Sequence, residues 1–382
     1  MSISIRPVRS RRDLRRFIRL PYRLYAGDPH WVAPLEIAFR AELDRAKNPF
    51  FRHAEAEYFL AWRGRDCVGR IAAIRNDLHN SQHGDRTGFW GWFEAEDDAE
   101  VASALLDRAA DTLAGMDLDS MRGPFNPSIN GPCGMLIQGF DSPPRALMPY
   151  NPPSYPALME AVGEEKLLDL FALFVNPEDF TPDHPPVAKL RRLADVVRRR
   201  RPDIVYRSLD MNRYDEDTSQ LNALFNQARE NNWGYVPVTD EEFAALARDM
   251  KPFVNPDAIV LAEVGGRVVG CLIGIPDINE ILAPCRGKLL PFGWLTILRN
   301  RRKVAWLRVF GAATLEAYRN SGVTAVLFDQ IIENCRRLGI PGGEVSWVAE
   351  NNMKSLGTIQ KAFGIEPYKT YRVYSRPLPG AD

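Results

Sequence analysis

The fold is decided by the stretch Leu315-Glu-Ala-Tyr-Arg-Asn-Ser-Gly-Val-Thr-Ala325. Upstream of it, residues 304–313 have the apolar and aromatic composition of a strand. Downstream, residues 325–338 carry apolar side chains at the spacing of an amphipathic helix. A tight turn between a strand and a helix directs several backbone N–H groups, together with the positive end of the helix dipole, toward one point. Such a junction can bind an anion.

Two residues of this turn suit a pyrophosphate. Gly322 would let the backbone approach the anion closely, and Arg319 would add a charged hydrogen-bond donor. An ordinary strand-to-helix turn with a solvated Arg has the same features, because one Gly and one Arg make a weak motif. The elements that follow the turn therefore have to decide between these interpretations.

The chain after the turn has the pattern of a known superfamily. A strand at 343–348 leads into Glu350-Asn-Asn-Met-Lys-Ser355, which begins a helix that ends at Gly364, and a final strand covers 368–374. In this order the chain resembles the GNAT superfamily of acyl-CoA N-acyltransferases. That superfamily has a strand, an Arg/Gln-x-x-Gly-x-Gly/Ala turn, a helix, a strand splayed from its neighbour, an Asn-x-x-Ala-like helix start and a last strand that ends in Tyr.

The resemblance implies acyl-CoA as co-substrate and assigns its binding residues. Arg319 and Gly322 match the first two positions of the pyrophosphate turn, and Thr324 stands where a small residue is expected. Asn351 to Ser355 resembles the second helix start, with Ser in place of Ala. The predicted coenzyme-binding residues are Val309, Phe310, Arg319, Asn320, Ser321, Gly322, Thr324, Asn351 and Ser355.

The first half of the chain resembles the superfamily by the order of its elements. A short strand and a helix over 11–25 open the chain, as they do in GNAT domains, but no Arg-x-x-Gly turn lies between Phe93 and Asp97. We therefore predict an α/β fold of the α+β type with a mixed sheet, in which two GNAT-like domains lie in tandem. The predicted boundaries are 1–178 for a domain without a coenzyme site, 179–203 for a linker and basic helix, and 204–382 for the domain with the acyl-CoA site.

An insertion at 279–303 is the largest departure from the superfamily pattern. It mixes bulky apolar residues, among them Phe292 and Trp294, with six basic ones, and it has no acidic residue after Glu280. This composition is typical of an amphipathic helix at a membrane interface or of a lid over an apolar chain. A helix packed on the other half of the protein would have the same composition. A lipid-like substrate would explain the insertion economically.

Direct acyl transfer to an amine needs a base, an oxyanion donor and an acid for the leaving thiolate. The resemblance implies an oxyanion donor on the backbone near Val309 and Phe310, and an acid on the last strand, with Tyr371 preferred to Tyr374 because it lies in the middle of the strand. The predicted bases are Asp277 and Glu280, which end a hairpin strand, and the alternatives are Glu316, Glu344 and Glu350. A surface role is equally compatible with each carboxylate, and a packing role with the Tyr.

Two loops rich in Asn and Pro indicate a polar substrate site. Asn126 lies in the first loop, and Tyr150 and Asn151 lie in the second; such residues also form ordinary turns. Trp233 and Tyr235 occupy the position of a substrate-wall loop in GNAT enzymes. The predicted substrate contacts are Asn126, Tyr150, Asn151, Trp233, Tyr235, Phe292 and Trp294.

Composition excludes several other classes of protein. Lys and Arg together number 49, as do Asp and Glu, so net charge gives no reason to expect a nucleic-acid partner. The five Cys form no Cys-x-x-Cys pair and the five His show no ligand spacing, so no metal site is predicted.

The sequence shows no apolar span of ~20 residues and no signal-peptide pattern, so we expect a cytoplasmic protein. Residues 285–303 would contact the inner membrane face if the lipid interpretation holds.

Three segments narrow the resemblance within the superfamily. Residues 122–131, 148–153 and 290–294 resemble a group of bacterial proteins that includes ceramide synthases, which acylate a sphingoid amine from a long-chain acyl-CoA. The expectation is therefore an acyl-CoA-dependent N-acyltransferase with a long-chain amine as acceptor and a ceramide-type amide as product. Acetylation of a small amine or amino acid, and acyl-CoA binding without catalysis, are the alternatives.

Overall fold

We describe the protein from a computed structural model, which covers residues 2–300 and 304–380. The last three basic residues of the predicted insertion, Arg301, Arg302 and Lys303, lie outside the described residues. No helix within the described ranges is both long and apolar enough to cross a membrane. Within the same ranges, no three His, Cys, Asp or Glu side chains cluster in a way that could hold a metal ion.

Strands and helices alternate through the chain in the order that the sequence indicates. The first elements are β1 (Ile3–Pro7), α1 (Arg11–Leu24), α2 (Glu36–Glu42), β2 (Ala54–Arg63), β3 (Asp66–Asn76), α3 (Asp77–His83), β4 (Thr87–Ala95), α4 (Ala99–Ala114), β5 (Ser120–Gly123), β6 (Met135–Gln138), α5 (Tyr155–Ala161) and β7 (Glu165–Val175). The later elements are α6 (Pro185–Arg200), β8 (Val205–Ser208), α7 (Tyr214–Arg229), α8 (Asp240–Met250), β9 (Ile259–Val264), β10 (Arg267–Pro276), α9 (Asn279–Leu282), α10 (Gly293–Asn300), β11 (Trp306–Thr314), α11 (Val323–Leu338), β12 (Gly342–Ala349), α12 (Met353–Phe363) and β13 (Pro367–Pro377).

The chain divides into two compact units that do not follow the midpoint of the sequence. The first unit contains the residues up to Leu170, the segment Leu282–Trp294 and the residues from Lys369 onward. The second unit contains Phe171–Ile281 and Leu295–Tyr368. The first unit therefore includes most of the last strand and half of the inserted segment, which are far from it in sequence.

The first unit is a mixed sheet with the strand order β1-β2-β3-β4-β5-β13-β7. The pairs from β1 to β4 are antiparallel, and β13 is antiparallel to β5, from Tyr374↔Gly123 to Pro377↔Ser120. Helix α4 lies against strands β1 to β4. Its side chains Val101, Leu105, Leu106 and Leu113 are fully buried and form the core with Trp90 of β4. The apolar face of α4 is thus the face that packs against the sheet.

Strands β4 and β5 are parallel for three residue pairs only, from Thr87↔Ser120 to Phe89↔Arg122. Beyond them, the chain after β5 fills the space beside β4. The backbone N–H of Phe125 donates to the carbonyl of Trp90 at 2.9 Å, and Asn126 Oδ1 accepts from the backbone N–H of Trp92 at 2.6 Å. Gly91 permits this approach, because a Cβ there would lie 1.7 Å from the carbonyl oxygen of Phe125.

The second unit has the strand order β7-β12-β11-β10-β9-β8, to which β7 contributes its C-terminal half. Strands β8 to β11 are antiparallel, and β11 is parallel to β12. Helices α7 and α11 cover opposite faces of this sheet. A Cβ on Gly311 would meet Phe225 of α7, whereas a Cβ on Gly270 would meet Val323 of α11. The core of this unit lies on both faces of β10 and β11.

Helix α6, which the sequence predicts as part of a linker, packs along α11 in the antiparallel direction. Arg191 donates to Glu333 at 2.8 Å near the end of α11, and Arg198 donates to Asp329 at 2.8 Å. Further along, Val197 is buried beside Gly322, at the start of α11. The C-terminal end of α6 therefore lies at the N-terminal end of α11.

Candidate active site

Strands β11 and β12 separate partway along their length. They pair only from Trp306↔Gly342 to Val309↔Val345, although both continue for several residues. A bulge lies at the point of separation. In the pairing of β10 with β11, Ile273 faces Gly311 and Gly274 faces Val309, so Phe310 is an extra residue. The unpaired backbone of the two strands can therefore bind another molecule.

A cavity of about 340 Å³ lies along the two separated strands. Its lining includes backbone and side chains of β11, β12, the end of α7 and the start of α12. It brings together five of the residues predicted from the sequence, namely Trp233, Val309, Phe310, Asn351 and Ser355. Pockets of this volume are typical of small-molecule sites.

The turn after β11 has an open helix start. Helix α11 begins at Val323, and its N-cap residue Gly322 has a left-handed backbone with φ of 84°. Among the described residues, no side chain acts as a capping acceptor for the N–H groups at this end of α11. A Cβ on Gly322 would lie 2.4 Å from Val197 Cγ2, so this position also requires glycine for space.

The remaining residues of the turn are mostly exposed. Arg319 Nη2 donates to the carbonyl of Ala228 at 2.9 Å, which fixes the side chain at the end of α7. Ser321 Oγ donates to the carbonyl of Tyr318 at 2.6 Å. The hydroxyls of Thr324 and Thr314 lie 3.3 Å apart, so Thr324 binds back to the end of β11. Asn320 is exposed beside them.

A buried charged network lies where the two strands are still paired. Glu344 of β12 is fully buried, and Arg308 of β11 is 2% exposed. Arg308 Nε donates to Ser346 Oγ at 2.8 Å and lies 3.8 Å from Glu344 Oε1. Ser346 Oγ donates in turn to Glu344 Oε1, and Tyr368 Oη donates to Glu344 Oε2. Ser346 also lines the cavity.

The start of α4 in the first unit differs from the start of α11. Asp98 caps α4, and its Oδ1 accepts from the backbone N–H of Glu100 at 2.8 Å. Arg63 pairs with the same carboxylate. The helix start is therefore occupied by an acidic side chain, which would repel a second anion.

Comparison with known proteins places this geometry in a family. The family model "Acetyltransferase (GNAT) family" matches residues 220–365. The chain is 35% identical to "Protein YghO" of Escherichia coli (strain K12) over 381 residues, which cover 98% of this chain and 95% of that protein. It is 36% identical over 386 residues to "Bacterial ceramide synthase" of Caulobacter vibrioides (strain NA1000 / CB15N), with 98% of both chains covered. The chain belongs to the GNAT acyltransferase family.

A solved structure extends the match to the whole chain. The tandem GNAT protein from the clavulanic acid biosynthesis pathway aligns with 100% of both chains at a TM-score of 0.55 and 13% identity. At this identity the likeness concerns the fold alone. The predicted mixed α/β fold with two GNAT-like halves in tandem is therefore confirmed. The family match falls in the second half, as the sequence indicates.

The two predicted bases of this GNAT protein contact backbone groups. Glu280 accepts hydrogen bonds from the backbone N–H groups of Ala305 and Trp306, both at 3.0 Å. Asp277 is buried, its own N–H donates to the carbonyl of Trp306, and its Oδ1 accepts from the N–H of Asn279 at 3.3 Å. The carboxylate of Glu280 and the backbone N–H of Asp277 thus hold the start of β11.

The predicted acid and the Asn-rich loops lie in the first unit of the GNAT protein. Tyr371 is fully buried and pairs with Leu136 across β13 and β6. Asn151 Oδ1 accepts from the N–H of Leu136 at 2.7 Å, and its Nδ2 donates to the carbonyl of Leu136 at 3.0 Å. Asn126 binds the backbone of β4, as described above. Each Asn side chain thus makes hydrogen bonds to a strand backbone that the backbone of a neighbouring strand would otherwise make.

The other four predicted substrate residues lie apart from the cavity lining. Tyr150 Oη donates to Asp28 at 2.9 Å, and burial together with this carboxylate raises the pKa of the phenol. Phe292 and Trp294 are 72% and 51% exposed. Tyr235 is half-buried two residues after Trp233, which lines the cavity.

Sequence reasoning missed most of the buried network of this GNAT protein. Glu344 was predicted only as one alternative base, and Arg308, Ser346 and Tyr368 were not predicted to have any role. A signal was available, because Glu344 and Ser346 alternate within an otherwise apolar strand and must share one face of it. Nothing in the sequence alone brings Arg308 and Tyr368 to that face.

Proposed function

We propose that this protein is an acyl-CoA-dependent N-acyltransferase that acylates the amine of a long-chain, sphingoid-like lipid and forms a ceramide-type amide. The observation that carries the proposal is the cavity between the separated ends of β11 and β12, together with the open start of α11 just beyond the end of β11. The unpaired strand edges offer peptide-like hydrogen bonds to a pantetheine arm, and the helix start suits a pyrophosphate.

The coenzyme would be bound by the residues that the sequence indicates. Arg319 and the backbone of 320–324 would contact the pyrophosphate, while Asn351 and Ser355 would border the pantetheine arm. The bulged backbone at Phe310 would donate to the thioester carbonyl as negative charge develops on its oxygen. Tyr371 as acid, and Asp277 or Glu280 as base, remain predictions for the same reaction.

Two observations support a lipid amine as acceptor. The first is 36% identity to a bacterial ceramide synthase over 98% of both chains. The second is the exposed apolar surface of the inserted segment, where Leu290, Phe292 and Trp294 are 76%, 72% and 51% exposed. Arg286 and Lys288 are exposed in the same segment. Apolar and basic side chains together suit contact with an anionic lipid surface.

Thiol release measured with two donors and two acceptors tests the proposal. Palmitoyl-CoA and acetyl-CoA would each be combined with a sphingoid base, with a polyamine and with no acceptor. We expect release only with palmitoyl-CoA and the sphingoid base, and mass spectrometry should find the amide. Release with acetyl-CoA and the polyamine would instead make the protein an acetyltransferase of small amines. Binding of acyl-CoA without release in any combination would identify a non-catalytic binding protein.

A further inference from the structure

The network around Glu344 is unusual because a carboxylate is fully buried in the sheet. A buried charge costs several kcal/mol unless it is paired and hydrogen-bonded. Glu344 has three partners, which are the guanidinium of Arg308, the hydroxyl of Ser346 and the hydroxyl of Tyr368. These partners supply the hydrogen bonds and the opposite charge that a carboxylate needs in a site without solvent.

The network reaches the cavity through two residues. Ser346 lines the cavity and binds Glu344 directly. Phe310, the bulged residue of β11, also lines the cavity, and the guanidinium of Arg308 lies 5.4 Å from the centre of its ring. The buried charges are therefore one hydroxyl away from the space in which the substrates would meet.

The hydroxyl of Ser346 has capacity for one further contact. A hydroxyl offers one donor and two acceptor positions. The donor is used by Glu344, and one acceptor position is used by Arg308 Nε at 2.8 Å. Among the described residues no other partner of this oxygen is seen, so its second lone pair can accept an N–H from a molecule in the cavity.

We propose that Ser346 and Glu344 form the proton relay of the acyl transfer, an inference that rests on the proposed function. In this relay they take the place of the predicted base, Asp277 or Glu280, and of the predicted acid, Tyr371. The amine nitrogen forms a bond to the thioester carbon, and the nitrogen then loses a proton to Ser346 Oγ. Ser346 passes its own hydroxyl proton to Glu344 Oε1. The carbon–sulfur bond breaks, and the same proton returns through Ser346 to the leaving thiolate. Amide and free thiol result, with no net change in protons.

Two neighbours of Glu344 support this relay, Arg308 by its charge and Tyr368 by its hydrogen bond. While Glu344 is ionised, it neutralises Arg308 across 3.8 Å. When Glu344 takes the proton, the tetrahedral intermediate carries the negative charge instead, so the total charge of the site is unchanged. Tyr368 is a positioning residue, because its hydroxyl donates to Glu344 Oε2 and so fixes the orientation of the carboxylate.

Three variants test the relay by kinetics. Ser346→Ala removes the hydroxyl and keeps the ion pair, whereas Glu344→Gln removes the base. Because a general base contributes roughly 10²–10⁴-fold, we expect both variants to lower kcat at least about 100-fold while the Kd for palmitoyl-CoA changes less than about threefold. Glu263→Gln is the matched control, because Glu263 accepts from Arg207 at 2.7 Å in another ion pair of the same unit. It should keep kcat within about twofold.

The variant Tyr368→Phe separates positioning from packing. Among the described residues, the charged and titratable groups that contact Glu344 are Arg308 of β11 and Tyr368 of β13. Tyr368→Phe removes one donor from the carboxylate and keeps both relay residues, so it should lower kcat less than Glu344→Gln does and leave the Kd for palmitoyl-CoA within about threefold. A merely structural role would lower stability and change Kd and kcat together.

The outcomes distinguish the relay from the proposed function. Wild-type protein that binds palmitoyl-CoA but releases no thiol with any amine overturns the proposed function and the relay with it. An active wild type together with Ser346→Ala and Glu344→Gln at normal kcat overturns the relay alone. Equal losses of palmitoyl-CoA binding and kcat in both variants would also overturn it, because they would show that the network only shapes the cavity.

Discussion

Single residues decide which helix starts of this protein carry a capping carboxylate and which are open. Gly322 at the start of α11 leaves the helix start open, whereas Asp98 at the start of α4 fills the corresponding position with a carboxylate. The two helices have the same length and both follow a strand. The difference between a binding helix start and a closed one is therefore a difference in the capping residue.

Substitution of Gly322 tests this argument. Gly322→Ala adds a Cβ that meets Val197 and strains a left-handed backbone with φ of 84°. We expect it to weaken palmitoyl-CoA binding at least about tenfold and to lower the free energy of unfolding by more than the ~1 kcal/mol typical of a left-handed residue. Calorimetric titration and denaturant unfolding measure the two effects.

Gly339 gives the matched control for that substitution. It ends the same helix with φ of 70°, and a Cβ there would have no neighbour within 4 Å. Gly339→Ala should cost about 1 kcal/mol in stability and leave palmitoyl-CoA binding unchanged. Equal binding in the two variants would contradict the assignment of the α11 start to the coenzyme.

The raised pKa of Glu42 in the first unit leads us to expect that the free energy of unfolding depends on pH. Burial raises its pKa to about 7, although the hydrogen bond from Trp92 Nε1 and the charge of Arg70 oppose the shift. The folded protein then binds a proton that the unfolded chain, with a carboxyl pKa near 4.5, has released. The free energy of unfolding should therefore fall as the pH rises from about 5 to about 8.

Glu42→Gln should reduce this fall, because Gln keeps an oxygen for Trp92 and does not ionise. We expect the variant to gain roughly 1–3 kcal/mol relative to the wild type at the upper end of that pH range, and little at the lower end. Urea unfolding at several pH values measures the difference. Glu57→Gln, at an exposed position of β2, is the control and should keep the wild-type slope. A parallel pH dependence of Glu42→Gln and wild type would refute the argument.

At the scale of elements, the sequence predicts each strand and helix better than it predicts their partners. The turn at Arg319 to Thr324 and the helix after it were readable, because apolar periodicity changes at that point. The cavity residues Val309 and Phe310 of β11, and Asn351 and Ser355 at the start of α12, followed from the family pattern, whereas the cavity residues of β12 were not predicted. The pairing of β13 with β5 was not readable, since it joins segments more than 240 residues apart in sequence. The buried network was missed for the same reason.

The Asn-rich loops show a second limit of prediction from sequence. Asn126 and Asn151 have the composition of a polar site, yet their side chains bind the backbone of Trp92 and Leu136. A side-chain amide has a carbonyl and an N–H group, as the backbone has, and can replace it. Only the register of the strands distinguishes this use from substrate binding.

Helix α6 gives a prediction at the same scale, because it is packed along α11. Val197 is buried on the contact face, while Leu193 of the same helix is 50% exposed. Val197→Asp would bury an unpaired charge, so we expect it to lower the free energy of unfolding by about 3 kcal/mol or more. Leu193→Asp should change it by no more than about 0.5 kcal/mol. Denaturant unfolding of both variants measures the difference, and similar losses would contradict the packed arrangement.

At the scale of the whole molecule, the units do not correspond to the two halves of the sequence. The segment Leu282–Trp294, which the family pattern marks as an insertion into the second half, belongs to the first unit. Its contacts there are specific. The N–H of Glu36 donates to the carbonyl of Gly287 at 3.0 Å, and a Cβ on Gly287 would lie 2.4 Å from Tyr22. The exposed side chains of Leu290 and Phe292 therefore follow a segment whose backbone is held in place by these contacts.

If the proposed function holds, these exposed side chains should bring the protein to a lipid surface. Leu290 and Phe292 are 76% and 72% exposed, so replacing both with Ser removes apolar surface without opening the core. We expect the double variant to keep the wild-type melting temperature and to lose most binding to vesicles that contain phosphatidylglycerol. Cosedimentation with such vesicles, and with neutral phosphatidylcholine vesicles for comparison, measures the effect.

The activity of the double variant should depend on how the amine is presented. Transfer to a sphingoid base in anionic vesicles should fall, because the enzyme no longer concentrates at the surface, whereas transfer to the same base in detergent micelles should stay within about twofold. Ile37→Ser, at a position 64% exposed on α2, is the control for loss of one exposed apolar side chain and should bind vesicles normally. Equal losses in vesicles and micelles would instead mean that Leu290 and Phe292 contact the substrate chain itself.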